Sequence, residues 1–470
     1  MPDTSVDVLV IGAGPGGYPA AIRCGQLGLS TLIVDKGMWG GTCLNVGCIP
    51  SKALITAGKT AATIRKASVM GISTEGLSVD MGQMQEWKQS IVKKMSGGVK
   101  SLCKGNGATI DTGVAVFKSD HTALVTPTKG EPYTVTFQHA VIATGSVPIE
   151  IPGFEFDEET ILSSTGALAL AEAPGHVVVI GGGYIGLELG QMLRHLGVEI
   201  TVVEMADQVL PGFDPEIVTV VSRKMKKAGI KTLLSARATG WKKGRAKKNP
   251  ITVTVEGPNG SEDIRCDKVL VTVGRRPYTE GLDPAAAGVA VGDRGFIAID
   301  EKLRTNVPHI YCVGDVSGNP MLAHRASMQG EIAAEVIAGK NVAADYKTVP
   351  SVVFTDPEIA TAGLSEQEAR DKGFDVEVGK FPWGANGRAL THLETDGFVK
   401  VITDKGDGQV LGVAIVGPHA SDLISEAALA IEMDAYAEDI GLTIHPHPTL
   451  GEAVMEAANK ALGHAIHIMN

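Results

Sequence analysis

One stretch of this chain occurs twice, and that constrains the fold more than any other feature. Val6 to Val10 is a β-branched apolar run. It is followed by Gly12-Ala13-Gly14-Pro15-Gly16-Gly17, a helical stretch to Leu27, Gly28, a second apolar run Leu32-Ile33-Val34, and then Asp35. Val177 to Ile180, Gly181-Gly182-Gly183-Tyr184-Ile185-Gly186, a helical stretch to Leu196, Gly197, Ile200 to Val203 and Glu204 repeat the pattern without a gap, every landmark displaced by 169 positions. A single glycine-rich turn is weak evidence. Two copies, each between a strand and a helix and each followed by an acid at the same distance, predict two parallel strand–helix–strand units that each hold a dinucleotide. The first glycine of each set makes the tight turn, the second lets a pyrophosphate approach the backbone, and the third lets the helix pack close to the sheet. Free N–H groups and the positive helix end stabilise the diphosphate. Asp35 and Glu204 can accept hydrogen bonds from ribose hydroxyls.

With 470 residues, the chain has room for about three domains. The expected class is α/β: two Rossmann-like, doubly wound domains and a C-terminal α+β domain. Residues 1–150 form the first domain, closing on Ala140 to Ala143 and the turn Thr144-Gly145. Residues 151–275 form an inserted nucleotide domain. Residues 276–346 return to the first, with a strand at Ile310 to Val313 and then Gly314-Asp315. Residues 347–470 mix strands (Val352 to Phe354, Phe398 to Ile402, Val410 to Ile415) with helices (Ser421 to Met433, Gly451 to Leu462) and read as an association module.

Composition narrows the function classes. Apolar residues make up 44% and charged residues 20%, which is globular usage and not that of a disordered chain. A net charge of −11 disfavours general nucleic-acid binding, because phosphate neutralisation needs the opposite sign. One segment runs against that charge: Ile217 to Val255 carries eleven Lys/Arg and no acid. It reads as a solvated face of the second nucleotide domain or as a docking patch for a partner. No apolar stretch is long enough to span a membrane, and the acidic N-terminus does not read as a secretory signal, so a soluble cytoplasmic protein is expected. Six scattered cysteines do not make a disulfide framework.

Two of those cysteines lie close together, in Gly40-Gly41-Thr42-Cys43-Leu44-Asn45-Val46-Gly47-Cys48-Ile49-Pro50-Ser51-Lys52. In a regular helix, five residues rise about 7.5 Å, whereas a disulfide needs Cα atoms about 4.4–6.8 Å apart. A bond therefore needs an irregular backbone, which Gly47 and Pro50 can supply. The pair reads as a redox dithiol beside a dinucleotide or as two unrelated buried thiols. A zinc site lacks a second Cys/His pair at the needed spacing, and no metal is expected.

The whole segment resembles the redox motif of the class I flavoprotein disulfide reductases, in wording closest to the branch that oxidises dihydrolipoamide. Val273-Gly274-Arg275-Arg276-Pro277, Tyr311-Cys312-Val313-Gly314-Asp315, Thr355-Asp356-Pro357-Glu358 and His445-Pro446-His447-Pro448-Thr449 resemble the same family, as do both fingerprints in order and spacing. The resemblance implies FAD on Gly12, Gly14, Gly17 and Asp35, with Lys52, Thr144, Gly145, Asp315 and the helix start at Ala323 completing its site. It implies a nicotinamide dinucleotide on Gly181, Gly183, Gly186, Glu204 and Gly274. Glu204 would repel a 2′-phosphate and residues 205–210 offer no arginine, which favours NAD over NADP.

The same resemblance assigns Cys43 as the outer thiol that exchanges with substrate and Cys48 as the inner thiol at the flavin. Lys52 and Glu188 would form an ion pair there. His447 would be the acid/base, oriented by Glu452, and would serve Cys43 of the other chain of a homodimer. The implied activity is NAD⁺-linked oxidation of protein-bound dihydrolipoamide. The implied partners are lipoyl domains of 2-oxoacid dehydrogenase complexes or the glycine cleavage system. Another disulfide reductase of the superfamily (glutathione-reductase-like) and a non-catalytic flavin-binding subunit are the alternatives. Gly451 and Tyr278 depart from the family's usual Ser and Asn, and Pro19 sits in the first turns of a helix, where it is tolerated.

Overall fold

The computed structural model describes residues 3–245 and 247–470. The chain forms two compact units: one runs up to Ala173 and resumes at Val271–Asp345, and the other comprises Pro174–Leu270 and Tyr346–Asn470.

The first unit is built on a parallel sheet in the order Thr109–Phe117, Thr31–Asp35, Thr4–Ile11, Tyr133–Ile142, Ile310–Cys312. The short strand Thr122–Pro127 runs antiparallel between the first and fourth of these. The β-branched runs read from the sequence lie here because strands buried on both faces need continuous apolar side chains; Val8, Leu9 and Val10 are fully buried. Segment Ile310–Cys312 pairs with Ala140–Ile142, so this part of the chain rejoins the first sheet. Helices Gly17–Gln26 and Ala323–Ile337 pack closely against one another. A Cβ on Gly330 would lie 2.2 Å from Gly16 O, so only glycine permits that approach. The expected boundary at 150 falls inside this unit. Helix Met81–Gly105 anchors the segment beyond that boundary: Lys88 Nζ donates to Leu168 O and Gln85 Nε2 to Leu170 O.

The second unit repeats the glycine-turn architecture. Its strands run Lys231–Leu233, Glu199–Val203, His176–Ile180, Lys268–Val271. The duplication is reproduced bond for bond. Val8 pairs with Thr31 and Val177 with Ile200. Gly12 N donates to Val34 O at 2.8 Å and Gly181 N to Val203 O at 2.9 Å. A three-stranded antiparallel sheet comes next (Arg237–Lys243, Ile251–Gly257, Gly260–Cys266). Three members of the basic stretch find acids outside it: Lys224 pairs with Asp356 and Asp396, Lys231 with Glu262, and Lys242 with Asp263.

The rest of this unit is a five-stranded antiparallel sheet ordered Ser351–Val353, Glu358–Gly363, Val410–Gly417, Phe398–Asp404, Val376–Pro382. Helices Ala420–Glu432 and Glu452–Ala461 cover its apolar side. Lys400 ties this sheet to the nucleotide segment. It is 2% exposed, with Nζ 2.7 Å from Asp214 and 2.6 Å from Glu216. Helix Tyr184–His195 adds a row of contacts: Glu188 Oε1 accepts from Phe354 N at 2.8 Å and Gln191 Oε1 from Asp356 N at 2.6 Å. Among the described residues no helix is long and apolar enough to cross a membrane.

Candidate active site

Both glycine turns are held by the acids that come after them. Asp35 Oδ2 accepts from Ala13 N at 2.9 Å and its Oδ1 from Gly37 N at 2.8 Å. Glu204 Oε2 accepts from Gly182 N at 2.6 Å and its Oε1 from Ala206 N at 2.7 Å. Each carboxylate bridges its turn to the end of the second strand and keeps lone pairs for a ribose hydroxyl. The glycines divide by role. Gly12 has φ +103°, and a Cβ on Gly17 would sit 1.8 Å from Gly12 O, so both are required by the turn itself. A Cβ on Gly14 would meet nothing nearer than 3.8 Å, and one on Gly183 nothing within 4 Å. Those two positions are open, as a turn that admits a dinucleotide backbone must be. Gly181 has φ +102° and Gly186 is buried in its helix. The residues present fit two dinucleotides.

The thiol segment rests directly on the first turn. Gly40 N donates to Ala13 O at 2.8 Å, and a Cβ on Gly41 would lie 2.5 Å from Gly14 Cα. Asn45 Nδ2 pins the entry by donating to Trp39 O and Gly41 O. Cys43 lies in helix Gly41–Val46 and Cys48 begins helix Cys48–Lys66, with Gly47 at φ −139° and ψ −113° between them. The expected irregularity is therefore one residue wide. Pro50 contributes none of it, because it sits in the first turn of the second helix, where its missing N–H is not needed.

Cys43 is half-buried and Cys48 is exposed, and the two are not joined by a disulfide. The Cys43 thiol is pushed well above the ordinary range by its hydrogen bond to Cys48, by burial and by charge on Cys48; Lys52 pulls the other way. Cys43 is thus held in its protonated form by its neighbour and by burial, with the Lys52 cation close enough to oppose this.

Asp315 lies in the turn Gly314–Ser317 and accepts a hydrogen bond from Ser146 Oγ. That hydroxyl accepts from Arg275 Nε at 2.8 Å. Buried Gln329 fixes the turn by accepting from Gly314 N at 2.8 Å. Ala323 opens its helix with no side-chain cap. Thr144 Oγ1 donates to Tyr278 O, and Tyr278 N to Gly145 O at 3.0 Å. The Tyr278 hydroxyl accepts from Lys36 Nζ at 2.7 Å, so the departure from Asn adds a contact beside Asp35. Gly274 belongs to the first unit, where its carbonyl accepts from Ile149 N.

In the second unit, His447 Nδ1 lies 2.8 Å from Glu452 Oε1. Glu452 Oε2 accepts from Thr449 N at 2.7 Å. Burial opposes its ionised form, yet the Thr449 N–H and His447 outweigh that and hold the carboxyl below its usual range. His445 is 6% exposed and locked, with Nδ1 2.8 Å from Thr443 O and Nε2 2.8 Å from Glu426. Nothing in the local sequence pointed to Glu426 or to buried Glu456, which holds His467 Nδ1 at 2.7 Å.

Two nucleotide turns, one of them carrying a dithiol, and a separate His–carboxylate pair define a nucleotide-dependent thiol–disulfide oxidoreductase. The chain belongs to the pyridine nucleotide-disulphide oxidoreductase family: the family profile matches residues 6–330 and the profile of its dimerisation domain residues 349–458. It is 50% identical over 472 residues to the dihydrolipoyl dehydrogenase of Haloferax volcanii, covering 99% of this chain and 98% of that one. It is 49% identical to that of Geobacillus stearothermophilus, covering 98% and 97%. Among solved structures it resembles LpdA from Mycobacterium tuberculosis, with a TM-score of 0.89, 28% identity and 97% and 99% coverage. The dimerisation segment leaves large apolar side chains uncovered, including Leu429, Met433, Leu442 and Ile444.

Proposed function

We propose that this chain is a dihydrolipoyl dehydrogenase: it oxidises dihydrolipoamide carried on lipoyl domains and reduces NAD⁺, using FAD. The observation that carries the reading is the Cys43–Cys48 dithiol seated on the first glycine turn, in a chain half identical along its whole length to relatives of that name.

Each residue has a distinct task. Glu452 holds His447 through Nδ1, leaving Nε2 to take the proton of a substrate thiol. The resulting thiolate attacks the Cys43 sulfur of the disulfide form, and Cys48 leaves as the thiolate. The second substrate thiol then expels Cys43, so two thiols become one disulfide in the substrate while the reverse happens in the protein. The upward shift of the Cys43 thiol, caused by its hydrogen bond to Cys48 and by burial, is consistent with Cys48 as the leaving group. FAD held on the first glycine turn would supply the two-electron carrier between the dithiol and a nicotinamide held on the second.

Gly12, Gly14, Gly17, Asp35, Asp315 and the helix start at Ala323 are assigned to FAD. Gly181, Gly183, Gly186 and Glu204 are assigned to NAD, the Glu204 carboxylate disfavouring a 2′-phosphate. Lys52 and Glu188 are placed at the flavin on the resemblance of their segments alone, and His447 of the partner subunit is the base that serves Cys43. The test is steady-state NADH formation from dihydrolipoamide, set against NADPH oxidation by glutathione disulfide. Turnover with the first pair alone supports the reading; turnover with the second alone rejects it.

A further inference from the structure

A second set of ligating side chains lies well away from the thiols. Asp120 and His121 form the turn between strands Thr109–Phe117 and Thr122–Pro127, and His309 immediately precedes strand Ile310–Cys312. One ligand atom from each of the three lies within 4.8 Å of the others. We propose that Asp120, His121 and His309 form a binding site for a borderline divalent transition ion such as Zn²⁺.

The hydrogen bonds behind the rings favour this over a chance cluster. His121 Nδ1 faces Phe137 O at 2.9 Å, so that nitrogen carries the proton and Nε2 presents its lone pair. His309 Nε2 faces the backbone carbonyl of Asp120 at 2.9 Å, which leaves Nδ1 with the lone pair. A backbone carbonyl on the far nitrogen is the arrangement that fixes the tautomer of a metal-bound histidine. The rings stack with centroids 4.0 Å apart and planes 3° from parallel. Asp120 adds the negative charge. Two imidazoles and a carboxylate suit Zn²⁺ with a water in the fourth position, whereas Mg²⁺ and Ca²⁺ prefer all-oxygen sets. A metal must lie in the plane of each ring it binds, so one ring tilts out of the stack on binding. Asp120 and His121 are exposed and His309 is half-buried, so the surface position permits that movement.

The site is distinct from the thiol–nucleotide centre. Phe137, which holds His121, pairs with Val6, six positions before Gly12. At about 3.3 Å per strand residue, this is ~20 Å from the glycine turn.

The experiment is Zn²⁺ titration of the FAD-loaded protein by calorimetry, with Cys43 and Cys48 kept in the disulfide form so that thiolates do not compete. One saturable site per chain is expected. Its affinity should fall ~10-fold or more in His121→Ala and His309→Ala, at least as much as loss of a supporting contact costs, and should weaken in Asp120→Asn. A Zn²⁺-dependent rise in the thermal midpoint should appear in the parent protein and vanish in each histidine variant, while dihydrolipoamide oxidation stays unchanged in His309→Ala. Absence of saturable binding, or binding unaltered in both histidine variants, overturns the proposal.

Discussion

His447 and Glu452 are joined at 2.8 Å across the start of helix Glu452–Ala461, with the imidazole 78% exposed and the carboxylate only 19%. The ring thus faces outward while its holder is anchored by the Thr449 N–H. Loss of the base in His447→Gln should lower kcat by ~10²–10⁴-fold, the usual contribution of general acid–base catalysis. Glu452→Gln keeps a hydrogen bond to the ring but no charge and should cost less. Because the Glu452 carboxyl is held below its usual range, it stabilises the fold above about pH 4.5 and loses that contribution as pH falls through its lowered value. Acid unfolding curves of the Gln variant should lack this part of the pH dependence.

Lys400 gives a second test. Burial disfavours its charge, but Asp214 and Glu216 outweigh burial and raise its pKa, while Lys400 in turn holds Glu216 low. Lys400→Met leaves two carboxylates facing each other beside a dry methylene chain. Removing one partner of a buried pair costs ~3–5 kcal/mol, and Glu216 is half exposed, so the lower end is expected in chemical denaturation. The sign at low pH is specific: the parent loses the Glu216 contribution below about pH 4.5, and the variant loses only the share that Lys380, 2.9 Å from the same carboxylate, still supplies.

The glycines should separate folding from binding. Gly17→Ala forces a methyl to within 1.8 Å of Gly12 O and should prevent the first unit from folding. Gly183→Ala meets no atom within 4 Å. It should fold normally and raise the KM for NAD⁺, with thermal unfolding of the nucleotide-free protein unchanged. A Gly183→Ala protein with unaltered KM would remove that turn from the nucleotide site.

Gly451, where the family usually has Ser, caps its helix at φ −59° and ψ −30°. A Cβ there meets His445 Cδ2 at 3.6 Å and Thr449 Oγ1 at 3.7 Å, which is ordinary contact. Gly451→Ser should therefore raise stability by about 0.5 kcal/mol, mainly by restricting the unfolded chain, and leave kcat unchanged. An upward shift of the urea midpoint checks it.

The features legible in the amino-acid sequence are periodic or local. The two glycine turns, their acids and the thiol segment each lie within about 35 residues, so strand, turn and helix signals specify them together. His447 and Glu452 are five residues apart and meet as expected. The partners that stay hidden are separated by long stretches of chain: Gln191 with Asp356, Lys400 with Asp214, His445 with Glu426, Lys224 with Asp396. No local pattern marks them, because each pairing depends on how distant elements pack. The charge run 217–255 shows the same effect, since the acids that pair with Lys224, Lys231 and Lys242 all lie after its end. Gly47 alone produces the irregularity expected of Gly47 and Pro50 together, because a proline that breaks a helix and one that starts it look alike without the backbone angles.

Rapid mixing of the FAD-loaded, disulfide-form protein with dihydrolipoamide and NAD⁺ tests the central claim directly, with NADH formation recorded in the parent, Cys43→Ser and Cys48→Ser. With the two sulfurs proposed to act as one relay, each serine variant should fall by ~10³-fold or more while binding FAD normally. NADH formation at the parent's rate in either variant would contradict the account.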